Sequence, residues 1–109
     1  MKKIVLISAA LLLSAPTMAA GDKEAGKKIV EGQCVTCHGM NGVSQNPGWP
    51  ILAGQYENYL VHALQGYKSG ERRNAIMAGF AGALSEQDMK NVAAWYAGQK
   101  AALKISPTP

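Results

Sequence analysis

The residues able to do chemistry sit almost side by side. The only two cysteines, Cys34 and Cys37, occur in Cys34-Val35-Thr36-Cys37-His38. A disulfide within this pentapeptide would close so short a loop that it would restrict the unfolded chain little. A thioredoxin-like dithiol needs a strand running into the motif and a helix starting at it. Here a helical pattern precedes the motif and Gly39-Met40-Asn41-Gly42 follows. A structural zinc needs four ligands, and this spacing of two cysteines and two histidines does not assemble them. The reading that remains is C-x-x-C-H, an attachment site for a c-type haem. Cys34 and Cys37 would form thioethers to the vinyl groups, and His38 would be the proximal iron ligand. One such motif predicts one covalent haem c per chain.

The iron then needs a sixth ligand. Met1 and Met18 belong to an N-terminal leader, Met40 follows His38 too closely to reach the opposite haem face, and Met89 lies in a strongly helical segment. Met77 sits in Ala75-Ile76-Met77-Ala78-Gly79, which reads as a small-residue loop between two helices, 39 residues beyond His38. That span is long enough for the chain to wrap the haem and return on its far side. His62 is the rival. Its segment, residues 55–69, places Tyr56, Leu60, Ala63, Leu64 and Tyr67 on one face. His62 falls on the other face with Asn58, Gln65 and Ser69, which reads as solvent-facing. An open sixth position would instead suit gas binding or peroxide reduction.

These groups must be held by helices. Residues 22–33 carry Ala25, Ile29 and Val30 at helical spacing, with Asp22 as N-cap. Gly26 in the middle weakens that helix, which points to a close helix contact there. Ser85 with Asp88 three residues on marks a second start. Met89, Val92, Ala93, Trp95 and Tyr96 then form an apolar face that ends near Gly98. Residues 39–54 are turn-rich, and no period-two strand pattern occurs. The expected fold is all-α, with three principal helices and long loops.

Composition sets the setting. The chain has 109 residues and a formal charge of +4. Lys2 and Lys3 precede an apolar run, Ile4 to Leu13, and Thr17 and Ala19 supply the small residues of a cleavage site. Residues 1–19 are therefore expected to be a cleaved bacterial signal peptide and the destination the periplasm. Residues 20–105 would form the domain and 106–109 a flexible tail. Removing the leader takes 11 basic residues to 9 against 7 acidic ones, a charge of +2. No basic block favours nucleic acid, and the mature chain is expected to carry no membrane span. Only 15 Leu, Ile, Val and Phe residues remain after the leader. So thin an apolar inventory calls for a cofactor at the centre.

Over essentially its whole mature length the chain resembles a class I c-type cytochrome, of the small single-haem bacterial kind similar to cytochrome c4 domains and cytochrome c-553. The resemblance is carried by Gly26, Cys34-Val35-Thr36-Cys37-His38-Gly39, Pro50-Ile51-Leu52-Ala53-Gly54-Gln55, Arg72-Arg73-Asn74 with Met77, and Leu84-Ser85-Glu86-Gln87-Asp88 with Trp95-Tyr96. It implies terminal helices crossing at Gly26 against Trp95 or Tyr96, with a middle helix. It also implies a Pro50 carbonyl that orients His38. Trp49, Leu52 and Tyr67 are expected to line the haem pocket. Arg72 or Arg73 would pair a propionate or stay solvated, and Asn74 would serve the Met77 sulfur, a propionate or a turn.

The function implied is electron transfer between protein partners. The donor would be a quinol-oxidising complex or a dehydrogenase, the acceptor a terminal oxidase or reductase. The cytochrome c maturation machinery would attach the haem. The alternatives are a gas-binding or peroxide-reducing protein, should Met77 not ligate, and a haem subunit of a larger oxidase or dehydrogenase. A single C-x-x-C-H excludes electron transfer between haems within this chain.

Overall fold

The computed structural model describes residues 1–14 and 19–102. Residues 15–18, which include Thr17 of the expected cleavage site, lie outside them, as do the last three residues of the expected domain and the tail 106–109. The elements are α1 (Lys23–Ile29), a π-helical turn (Val30–Cys34), α2 (Val35–His38), α3 (Glu57–Ser69), α4 (Ala75–Gly82) and α5 (Glu86–Ala97). No strand occurs among the described residues, and no helix there is long and apolar enough to cross a membrane.

The helix starts follow from local chemistry. The Asp22 carboxylate accepts from the backbone N–H of Glu24 and Ala25, at 2.9 and 3.0 Å, satisfying donors that the first turn leaves open. Ser85 and Asp88 form a reciprocal capping box at the head of α5. α3 ends where Gly70 takes a left-handed conformation at φ 85°.

α1 and α5 pack against one another, and α3 packs on α5. The apolar centre is Val30, Leu60, Val92, Ala93 and Tyr96. α1 reaches α5 through Gly26, where any side chain would run into the backbone of Asn91 and Val92. This refines the expected glycine-to-aromatic crossing: what stands nearest Gly26 is main chain, while Tyr96 shares the core with Val30 and Trp95 lies under Lys27 of α1. Trp95 Nε1 donates to the Met40 carbonyl at 2.7 Å, and the Tyr96 hydroxyl donates to the Gly39 carbonyl at 2.9 Å. Both therefore tie down the loop that leaves the C-x-x-C-H motif.

Two expectations are corrected. The first helix does not stop at Gln33 but runs through the π turn to His38. The segment around Met77 is not a loop but helix α4. Its small residues hide the ordinary cause of a helix: alanine is the best helix former, and Asn74 Oδ1 caps the start by accepting from Met77 N–H at 3.0 Å. Ala81, fully buried, anchors this helix, which lies against α3.

Candidate haem site

Two adjoining cavities of about 170 and 150 Å³ share Cys34, His38, Pro50, Tyr67 and Met77. They are parts of one slot. Every chain segment from the π turn onward contributes a wall. The π turn and α2 bring Cys34, Cys37 and His38, and the loop brings Trp49, Pro50 and Leu52. α3 contributes Leu60, Leu64 and Tyr67, α4 contributes Met77, and α5 contributes Val92 and Ala93.

His38 is the most constrained of these. It is 7% exposed, and its Nδ1 donates to the Pro50 carbonyl at 2.9 Å. Committing Nδ1 fixes the tautomer and ring plane and leaves Nε2 as the metal-binding nitrogen. The Pro50 carbonyl is in turn located by a loop bonded back on itself. The N–H groups of Leu52 and Ala53 both reach the Gly42 carbonyl, at 2.8 and 3.2 Å, and Gly54 N–H reaches the Tyr96 carbonyl at 3.0 Å. Gly42 is at φ 77°, and an added Cβ would press on Ala53 and Tyr96, so this crossing demands glycine.

The electrostatics fit haem attachment better than thiol exchange. Burial, and to a smaller extent the neighbouring Cys37, pushes the Cys34 thiol up to about 11. A redox dithiol needs a thiolate with a depressed pKa, and Cys34 is displaced in the opposite direction. Burial also holds the Tyr96 phenol protonated well above its usual range, consistent with its role as donor to Gly39.

The remaining candidates separate. Arg72 lines the slot, and its Nη1 donates to the Tyr59 hydroxyl at 3.2 Å. Its guanidinium lies over the rings of Tyr59 and Tyr67, at 5.9 and 5.1 Å. Arg73 is exposed and lines neither cavity. Asn74 lines the second cavity and spends its side-chain oxygen on the α4 cap. Trp49, Leu52 and Tyr67 all line the slot. His62 is exposed and lines only grooves remote from Cys34, His38 and Met77. Tyr56, assigned to the apolar face of α3, is 77% exposed instead.

Lining residues that the sequence reading did not assign to the pocket include Gln33, Gly48, Gln55, Tyr59, Ile76 and Phe80. Tyr59 had a signal, since it stands four and eight residues before Ala63 and Tyr67 on the same helical face. Ile76 and Phe80 had none once their segment was read as a loop.

These residues suit a haem c. Two cysteines border a largely apolar slot, a histidine with one committed nitrogen and a methionine sulfur face it, and a guanidinium suited to carboxylates stands at one end. A family profile described as Cytochrome c matches residues 23–99. The chain is 41% identical over 107 residues to cytochrome c4 of Stutzerimonas stutzeri, covering 88% of this chain and 50% of that one. It is 38% identical over 84 residues to cytochrome c-554(548) of Halomonas halodenitrificans, covering 74% of this chain and all of that one. The crystal structure of reduced recombinant cytochrome c4 from Pseudomonas stutzeri superposes with a TM-score of 0.69 at 41% identity, covering 74% of this chain and 47% of the other.

The chain therefore belongs to the cytochrome c family, with the all-α class I fold and a covalently bound haem c as its cofactor. Within that family it resembles cytochrome c4, and it spans about half the length of the cytochrome c4 relatives it matches.

Proposed function

We propose that this chain is a periplasmic one-electron carrier that receives an electron from one protein partner and delivers it to another. The observation that carries the reading is the convergence of His38 and Met77 on one slot, with His38 Nδ1 already committed to Pro50. Cys34 and Cys37 would hold the haem through thioethers, and His38 Nε2 and the Met77 sulfur would be the two axial ligands.

A bound haem c supplies a ferric/ferrous couple. The chain's own residues set its properties. Methionine as second ligand favours the reduced state relative to a second histidine. Burial by Leu60, Leu64, Val92 and Ala93 excludes water and disfavours the extra charge of the oxidised centre. Arg72, beside Tyr59 and Tyr67, would neutralise a propionate. With His38 and Met77 both on the iron, no position there would be left open for a substrate.

The leader and the cysteine chemistry support the periplasm. The donor would be a quinol-oxidising complex or a dehydrogenase and the acceptor a terminal oxidase or reductase, after loading by the cytochrome c maturation machinery. Contacts with them would be small and short-lived, as redox encounters are.

The test is the ferric absorption spectrum of the purified holoprotein. The weak long-wavelength sulfur-to-iron band should be present. In Met77→Ala the band should vanish and the reduction potential fall, while the haem stays covalently attached. An unaltered spectrum in that variant would reject Met77 as ligand and reopen the gas-binding and peroxide-reducing readings.

A further inference from the structure

The first helical stretch changes its winding just before the haem motif. From Lys23 to Ile29 it is α-helical, but the Val35 N–H bonds to the Val30 carbonyl, five residues back, and Val30–Cys34 is a π turn. After it, the Gly39 N–H returns to the carbonyl of Val35, four residues back. A single π turn amounts to one extra residue in an α-helix. An α-helix advances about 100° per residue, so the extra residue resets the facing of everything after it by about 100°.

The reset can be followed residue by residue. Gly26 and Val30, both buried, define the face pressed on α5. In an uninterrupted α-helix Cys34 and His38 would lie about 80° and 120° round the axis from Gly26. Gln33 and Cys37 would then share the face of Gly26, each about 20° away. With one residue looped out, Cys34 and His38 come within about 20° of Gly26. The side chains follow the second arrangement: His38 is 7% exposed, Cys34 packs on the core, and Gln33 is exposed. The winding defect therefore joins two requirements that a plain helix cannot meet together. Gly26 must face Asn91, and His38 must face the slot and Pro50.

We infer that the π turn is a register device, in which the number of residues between Val30 and Cys34, rather than their side chains, aims His38 into the haem slot. Glu31, Gly32 and Gln33 are all exposed. A Cβ placed on Gly32 meets nothing within 4 Å. Glu31 and Gly32 line neither cavity, whereas Gln33 borders the second, so the first two are free in identity and the length of the spacer is what sets the facing of His38. These residues act on the iron through His38 and are positioning residues. The inference rests on the His38 and Met77 reading above.

The test compares length with composition in the purified holoprotein. One variant deletes Gly32, a second inserts an alanine after Gly32, and a third keeps the length as Glu31→Ala and Gly32→Ala together, leaving Gln33 at the slot. The readouts are the intensity of the ferric sulfur-to-iron band and the reduction potential. The wild-type band is the control for the ligand reading: if it is absent, that reading fails before the device is tested.

The double-alanine variant should keep the wild-type band and potential. Deletion and insertion should each lower the band at least tenfold and shift the potential downward. Failure of both length variants to accumulate as holoprotein, while the double-alanine variant accumulates normally, is the same result in its extreme form. A length variant with a wild-type band would overturn the inference. So would a double-alanine variant that loses the band, since side chains would then carry the effect.

Discussion

The two sides of the haem slot are built to different standards. On the histidine side the ring is almost wholly buried, one nitrogen is held by Pro50, and the supporting loop is bonded to α5 through Trp95 and Tyr96. On the methionine side Met77 rides on an eight-residue helix whose neighbours Ile76 and Phe80 are 65% and 42% exposed. A helix that short depends on its packing and its cap, here Ala81 beneath it and Asn74 at its start. The proposed ligand His38 is fixed by long-range ties and the proposed ligand Met77 by a local cap. The methionine side should therefore yield first under stress, and the histidine side should fail only with the whole domain.

The strongest way to break this contrast is to strike beneath the histidine side. Gly26→Val puts a branched side chain into the Asn91–Val92 backbone, where main chain cannot step aside as a side-chain tip can. Denaturant unfolding of the holoprotein should show a loss of about 3 kcal/mol or more, the upper range for overpacking. Both axial ligands should be lost in one transition. Near-wild-type stability would mean that α1 and α5 can separate at no cost.

A smaller change should act on the methionine side alone. Asn74→Ala removes the α4 cap, worth about 1 kcal/mol. The sulfur-to-iron band should then fade at a lower denaturant concentration than the global loss of helix. If band and helix continue to melt together, α4 is not the weaker side.

The smallest effect concerns alkaline pH. A free phenol titrates near about 10, whereas burial holds Tyr96 protonated well above that. Above the free value the unfolded chain gives up a proton that the folded chain retains. The Tyr96 contribution is thus complete below about pH 10 and drains as pH rises toward the folded value. Tyr96→Phe removes this titration, so its unfolding free energy should fall less steeply than that of the wild type between neutral and strongly alkaline pH. Equal slopes would argue against a buried, donating phenol.

Sequence and structure agree most closely where a residue's role is local. The C-x-x-C-H pentapeptide, the Asp22 cap and the Ser85–Asp88 box declare themselves through spacing of a few residues. So does the outward placement of His62. The α4 helix was obscured because Ala75-Ile76-Met77-Ala78-Gly79 has no polar face to create a period, and its one positive sign, Asn74, has an equally good reading as a turn residue. The partner of Gly26 was beyond reach for a different reason: glycine marks a close approach without saying what approaches. The π turn left no periodic trace either, because the four-residue spacing of Gly26, Val30, Cys34 and His38 looks like an ordinary helical stripe. Only the drift of about 120° between Gly26 and His38 in a plain helix hinted at it.

The bonds from Trp95 and Tyr96 to the loop after His38 also bear on the order in which the site can be completed. The ligand encountered early in the chain is held by a proline twelve residues later, and that proline's loop is held by a helix that ends at residue 97. Until α5 closes over positions 39 and 40, only the loop's own bonds to the Gly42 carbonyl hold the segment that carries the Pro50 carbonyl. The attachment motif is local and is ready as soon as its five residues exist, whereas the ligand it contains is finished only by contacts across more than half the domain, the kind that chain topology makes slow to form. Covalent capture and ligand alignment are therefore separate events in the history of each molecule, written at opposite ends of the chain.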